Sequence, residues 1–180
     1  ALEALRRGAR VTVITGPAEV APPAGAEVVR VETAEEMLNA VLARAGSADI
    51  VIGAAAVADY RVADAGGEKR KRNGRDITLK LIENPDIIAQ IGSAKKNGQL
   101  VVGFAAETQD LLANAREKLT RKQLDLIVAN AVNTPDSGFG ADTTKAWFLT
   151  PDGAADEQPL MAKTALAEAL FDRLAALLVR

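Results

Sequence analysis

The sequence predicts an α/β fold, a three-layer arrangement in which helices flank a mostly parallel sheet and a β-hairpin projects from it as a flap. The first observation is alternation: short apolar runs near 10–15, 26–31, 50–52, 100–104 and 124–129 are separated by segments with helical spacing, the pattern of strands joined by crossover helices. The second is the small residues at the ends of two of those runs. Ile50-Val51-Ile52 passes into Gly53-Ala54-Ala55-Ala56, and Leu100-Val101-Val102 into Gly103-Phe104-Ala105. Continuous apolar runs suit strands covered on both faces, and small residues beyond them let a ligand approach the backbone. Ligands of open α/β sheets bind outside the carboxyl ends of the strands, so residues 53–59, ending in Asp59, are expected to form a site.

In chain order, residues 1–8 show helical spacing closed by Gly8 as a C-cap, and 10–15 reads as a strand. Helix, glycine and strand make the second half of a βαβ unit. The first strand, with its phosphate-facing turn, has no counterpart here, and the single domain, 1–180, is expected to be N-terminally incomplete. Thr15-Gly16-Pro17 lacks the carboxylate that holds ribose in dinucleotide folds. Thr33 and Glu36 form a capping box ahead of a helix with Ala34, Met37, Leu38, Val41, Leu42 and Ala45 on one face.

Residues 59–62 and 76–81 predict the arms of a long hairpin around a glycine-rich, basic loop, Glu68-Lys69-Arg70-Lys71-Arg72. Ile77, Leu79 and Leu81 alternate with Thr78 and Lys80, giving an apolar face for the body or a second subunit to cover. Asn84 as N-cap, Pro85 at the first helical position and Asp86 in the first turn predict a helix to about Gly92. Thr108 is expected to cap the next helix, whose Leu111, Leu112, Ala115 and Leu119 point inward. Lys118 and Lys122 stand one turn apart on the same face, where they either complement the helix dipole or await an anion. A strand at 124–129, a flexible turn at 137–140, a strand at 145–149, a tight turn at Pro151-Asp152-Gly153 and a helix from Lys163 carrying Leu166, Leu170, Leu174 and Leu177 complete a sheet of Rossmann type.

Composition narrows the chemistry. The 180 residues carry 48% hydrophobic and 26% charged residues and a net charge of -2, the balance of one globular domain. A slightly acidic body with one aromatic-poor basic loop argues against nucleic acid as the main partner. No run approaches the roughly 18 apolar residues of a membrane span, which points to a cytoplasmic protein. Histidine and cysteine are both absent, removing imidazole acid–base catalysis, thiol nucleophiles and the usual zinc sites. An enzyme with this toolkit works with lysine, arginine, carboxylates, backbone dipoles and a hard cation, which suits phosphoryl or nucleotidyl transfer. An NAD(P)-binding oxidoreductase and a non-enzymatic nucleotide- or nucleic-acid-binding module are the alternatives; the first lacks a G-x-G-x-x-G turn.

Ala55-Ala-Val-Ala-Asp59-Tyr-Arg, the Lys69–Arg72 basic run, Asn84-Pro-Asp-Ile87, Gly103-Phe-Ala-Ala-Glu-Thr108 and Lys122-x-Leu-Asp-Leu-Ile-x-Ala-Asn130 occur in one order. Together they resemble the phosphopantothenoylcysteine synthetase family, the C-terminal domain of the bifunctional coenzyme A biosynthesis decarboxylase/synthetase. The resemblance implies CTP-dependent activation of 4'-phosphopantothenate to an acyl-cytidylate, then amide formation with cysteine. It implies Mg²⁺ with CTP, no FMN in this domain, a homodimer, and a fused or upstream flavin decarboxylase. By motif match Gly53, Ala54, Ala55, Asp59, Asn84, Pro85, Asp86, Ile87, Phe104, Lys118 and Lys122 line the nucleotide, and Lys69 is the catalytic flap lysine. Metal ligands are not assigned. Arg72 stands where the family commonly has lysine, which keeps the charge but changes its hydrogen-bond geometry.

Overall fold

The computed structural model describes residues 1–64, 74, 76–107, 110–131 and 141–179. In chain order these form α1 (Leu2–Arg6), β1 (Thr12–Thr15), β2 (Glu27–Arg30), α2 (Ala34–Ala45), β3 (Ile50–Gly53), β4 (Tyr60–Val62), β5 (Leu81–Glu83), α3 (Ile87–Ala94), β6 (Leu100–Glu107), α4 (Leu111–Arg121), β7 (Leu126–Ala131), β8 (Thr143–Leu149), β9 (Ala155–Ala162) and α5 (Lys163–Leu178). The main sheet has the order β3-β6-β7-β8-β9; β1 and β2 pair in parallel with each other, and β4 and β5 form the antiparallel hairpin. Strands β3, β6 and β7 run parallel, and β8 and β9 continue the sheet antiparallel.

Strand periodicity divides the core into two sides. Val101, Ile127, Ala129 and Leu149 face one side, where Ile91 of α3 and Ala115 and Leu119 of α4 cover them. Their neighbours Leu100, Val102, Leu126, Val128, Ala146 and Phe148 face the other, under Leu166, Leu170 and Leu174 of α5. Side chains alternate across a strand with period two, so runs without polar residues in β6 and β7 fill both cores and give the three layers expected. Arg7 ties α1 to α5: its guanidinium donates to Asp172 Oδ1 at 2.7 Å and to the Glu168 carbonyl at 3.1 Å, and lies 5.8 Å from the Phe171 ring centre.

Several local expectations hold. Gly8 takes a left-handed φ of +82° after α1. Thr33 Oγ1 accepts from the Glu36 amide at 3.1 Å and Glu36 Oε2 from the Thr33 amide at 3.4 Å, closing the capping box. Gly153 N–H donates to the Thr150 carbonyl at 3.1 Å in the turn after β8.

Others shift. Ile52 is 37% exposed because β3 is an edge of the main sheet, although Val51 packs against one core and Ile50 against the other. Leu42 and Leu112 are exposed too; on α2 it is Val41 and Ala45 that reach the core. The second hairpin arm is Leu81–Glu83, not 76–81, because Arg61 pairs with Ile82. The N-cap of α3 is Asp86, whose Oδ1 accepts the Ala89 amide at 3.2 Å, so Pro85 precedes the helix. Asp110 occupies the N-cap of α4; Thr108 and the 137–140 turn lie outside the described residues. Strand β9 is an addition to the elements expected. It carries Pro159 and Leu160 opposite Lys145 alone, a bulge in the β8 ladder.

Three glycines set the distance between α3, α4 and the sheet. A Cβ on Gly53 would come within 2.9 Å of Ile88 Cδ1, and one on Gly103 within 2.6 Å of Leu124 Cδ1. A Cβ on Gly92 would land on the Lys122 carbonyl oxygen, which is backbone and cannot rotate away. Gly92→Ala is therefore expected to destabilise the fold by about 3 kcal/mol, the upper part of the usual overpacking range, and to lower Tm by roughly 6–12 °C for a chain of this size. A melting curve matching the parent's would show that α3 and α4 can separate freely.

Candidate functional site

The carboxyl ends of β3, β6 and β7 lie side by side, with Gly53 opposite Gly103 and Phe104 opposite Val128. Past Gly53 the chain runs out through Ala54, Ala55 and Ala56, all exposed, to Asp59. The glycine itself is filled from one side by Ile88, so its missing side chain serves helix packing, and the alanines offer the open backbone. Phe104 stays 40% exposed although its neighbours Gly103 and Ala105 are buried, leaving an aromatic face at the strand ends.

Asn84 closes this loop. Its Nδ2 donates to the Ala58 carbonyl at 2.8 Å and its backbone N–H to the Asp59 carbonyl at 2.8 Å, while its Oδ1 accepts from Arg61 Nη1 at 3.1 Å. Arg61 also donates to the Glu83 carbonyl at 2.8 Å. Arg61 belongs to the site's framework and was missed in the sequence, where nothing signals that an arginine on one hairpin arm will bind the turn after the other. Asn84 thereby acts as a clasp between the strand-end loop and the start of α3.

Two residues along, Asp86 joins α3 to α4. Lys122 Nζ lies 3.0 Å from Asp86 Oδ2 and 3.1 Å from Oδ1, with Arg121 Nη1 at 3.8 Å. The structure thus gathers Gly53, Ala54, Ala55, Asp59, Asn84, Pro85, Asp86 and Ile87 along one continuous stretch, with Lys122 attached through Asp86. Lys118 is one turn earlier on α4. Lys69 lies outside the described residues. Among the described residues no three of His, Cys, Asp and Glu gather as a metal site.

A cavity of about 500 Å³ opens at the other end of the sheet, lined by Lys95, Arg116, Leu119, Gln123 and Thr150 among others. Its two cations are engaged within the fold: Lys95 with Asp125 at 2.6 Å, Arg116 with the Gly153 carbonyl at 2.9 Å. In an open α/β sheet the strand carboxyl ends are the better candidate, and the polar contacts of Asn84 and Asp86 converge there.

The fold defines a Rossmann-like α/β protein, with the carboxyl end of its parallel strands as the candidate binding face. Residues 1–178 match the family described as the DNA/pantothenate metabolism flavoprotein C-terminal domain, and the chain belongs to that family. It is 43% identical over 175 residues to the coenzyme A biosynthesis bifunctional protein CoaBC of Bacillus subtilis, and 42% identical over 177 residues to that of Escherichia coli K12. Each alignment takes in 97% of this chain and 43% of the relative, so the chain spans less than half the length of those proteins. A crystal structure of the C-terminal domain of a CoaBC protein superposes with a TM-score of 0.79 at 31% identity, covering 98% of this chain and 78% of that one.

Asn84→Ala is expected to loosen the clasp, costing about 1–2 kcal/mol for the lost hydrogen bonds. Hydrogen exchange should speed up in peptides spanning 57–61 and 81–85 and stay unchanged in β7 and β8. Unchanged exchange in the first two segments would mean that the loop is held by other contacts.

Proposed function

We propose that this chain carries out the phosphopantothenate–cysteine ligase step of coenzyme A biosynthesis, with CTP as activating nucleotide. The supporting observation is the identity to the CoaBC proteins over almost all of this chain, joined to its likeness to a CoaBC C-terminal domain. In the first half-reaction a carboxylate oxygen of 4'-phosphopantothenate attacks the α-phosphorus of CTP; the phosphorus–oxygen bond to the β-phosphate breaks and pyrophosphate leaves. In the second, the cysteine amine attacks the acyl carbon of the acyl-cytidylate, CMP departs with the bonding pair, and the amine loses its proton.

Both steps develop negative charge on phosphate oxygens, which asks for cations and positioning more than for a proton-shuttling imidazole. That agrees with a chain without histidine. Gly53, Ala54, Ala55 and Asp59, with Asn84, Pro85, Asp86, Ile87 and Phe104, form the nucleotide face in this reading. Lys118 and Lys122 supply positive charge from α4, and Lys69 of the basic run is the catalytic lysine in this reading. Mg²⁺ would accompany the nucleotide and neutralise charge developing on its phosphates. FMN has no place in this domain, and a flavin decarboxylase belongs to the fused partner. No helix of the described residues is long and apolar enough to cross a membrane, in keeping with a cytoplasmic assignment.

Pyrophosphate release with phosphopantothenate, cysteine and each of the four nucleoside triphosphates tests the reading, with CTP expected to be fastest; silence with all four would end it. In the same assay Lys69→Gln should lower turnover by about two orders of magnitude, the scale of losing one donor to developing charge. Equal rates for variant and parent would remove Lys69 from the reaction.

A homodimer completes the proposal. Ile77, Leu79 and Leu81 are 60%, 56% and 56% exposed, and Tyr60 on the opposite arm, which the pairing with Glu83 sets on the same face as Leu81, is 55% exposed. Exposed apolar side chains gathered on one face mark interaction surfaces, and a second copy meeting this face about a two-fold axis would cover it. Ile77→Asp should shift the mass measured by light scattering toward the monomer; a parent already monomeric at high micromolar concentration would refute the arrangement.

A further inference from the structure

We propose that Asp86, whose backbone belongs to the nucleotide face described above, is a positioning residue through its side chain: the carboxylate holds the Lys122 ammonium in place for a nucleotide without itself touching the nucleotide. The inference rests on the ligase reading above and refines the role of one residue in it. Asp86 Oδ1 is shared between the Ala89 amide at 3.2 Å and Lys122 Nζ at 3.1 Å, and Oδ2 faces Lys122 Nζ at 3.0 Å with Arg121 at 3.8 Å. Its charge is thus directed at α4. A carboxylate facing phosphates directly would repel them; one facing a lysine fixes the cation that attracts them.

Lys122 is restrained at both ends. Its backbone carbonyl abuts Gly92, where no Cβ fits, and its ammonium meets Asp86. Only 20% of the lysine side chain is exposed. A free lysine has four rotatable bonds to order on binding an anion, and holding it beforehand removes that entropic cost from association. The ammonium has three donors, so donating to Asp86 leaves capacity for a phosphate oxygen.

The carboxylate of Asp86 is 39% exposed, and ion pairs this open to solvent add little to stability. Asparagine is as good an N-cap as aspartate. Asp86→Asn therefore keeps the cap of α3 and removes only the ionic hold on Lys122, separating positioning from folding.

The experiment is a cycle of Asp86→Asn, Lys122→Met and the double variant in the full chain, with steady-state kinetics at varied CTP, calorimetric titration with Mg-CTP, and thermal melts. Asp86→Asn should raise the KM and Kd for CTP about tenfold, with kcat changed no more than about threefold and Tm within about 2 °C of the parent, the pattern of lost binding without lost chemistry. Lys122→Met should weaken CTP by a similar factor, and the double variant no further, because residues acting as a unit are not additive. Unchanged or tighter CTP binding in Asp86→Asn, or single effects that multiply in the double variant, overturns the proposal while the ligase reading stands. A parent that neither releases pyrophosphate nor binds Mg-CTP overturns both.

Discussion

The closeness with which α3 lies against its neighbours is the constraint on which the rest of the site depends. Backbone meets backbone at Gly92 and Lys122, and Ile88 and Leu124 occupy the space that side chains on Gly53 and Gly103 would need. Interiors are packed as densely as organic crystals, so a helix lowered onto a sheet in this way has one height and one rotation available. The first turn of α3 then falls where Asp86 can reach Lys122, and the residues before it fall where Asn84 can reach Ala58 and Asp59. Polar contacts at the strand ends follow from an apolar fit several ångströms beneath them.

The parts of this arrangement legible in the sequence are those dictated by neighbours along the chain. Apolar runs without polar interruption mark β6 and β7 because both their faces are buried, and Thr33 with Glu36 marks the start of α2 because a capping box is a contact between residues three apart. Asn84 and Asp86 show the limit. Both are strong N-caps, and local spacing cannot distinguish them; Asn84 is already committed, because Ala58 and Arg61, distant in sequence, occupy its amide. The ion pair of Asp86 with Lys122 spans 36 positions and has no local signature either. Strand β9 is hidden in the sequence since Asp156, Glu157 and Pro159 have low strand preference, and it exists through its pairing with β8.

The chemistry available is set by what the chain lacks as much as by what it holds. With no imidazole or thiol, no side chain here titrates near neutrality at its ordinary value. Such a site works with fixed charges, and fixed charges act through placement. Asn84 and Arg61 accordingly spend their hydrogen bonds on each other and on backbone, and Asp86 spends its own on Lys122 and the Ala89 amide, making a frame in which backbone atoms of the alanine loop and the ammonium of Lys122 keep their positions.

The bulge in β9 bears on how the molecule behaves in a crowded solution. An unpaired strand edge is a template on which another chain can add itself, the first step of β-aggregation. On β9 the ladder is broken where Pro159 and Leu160 face Lys145, and Pro159 has no N–H to offer. A foreign strand approaching from that side meets a gap in the donor row and a kinked backbone, so the outer margin of the sheet resists stacking onto other molecules without needing a helix to shield it.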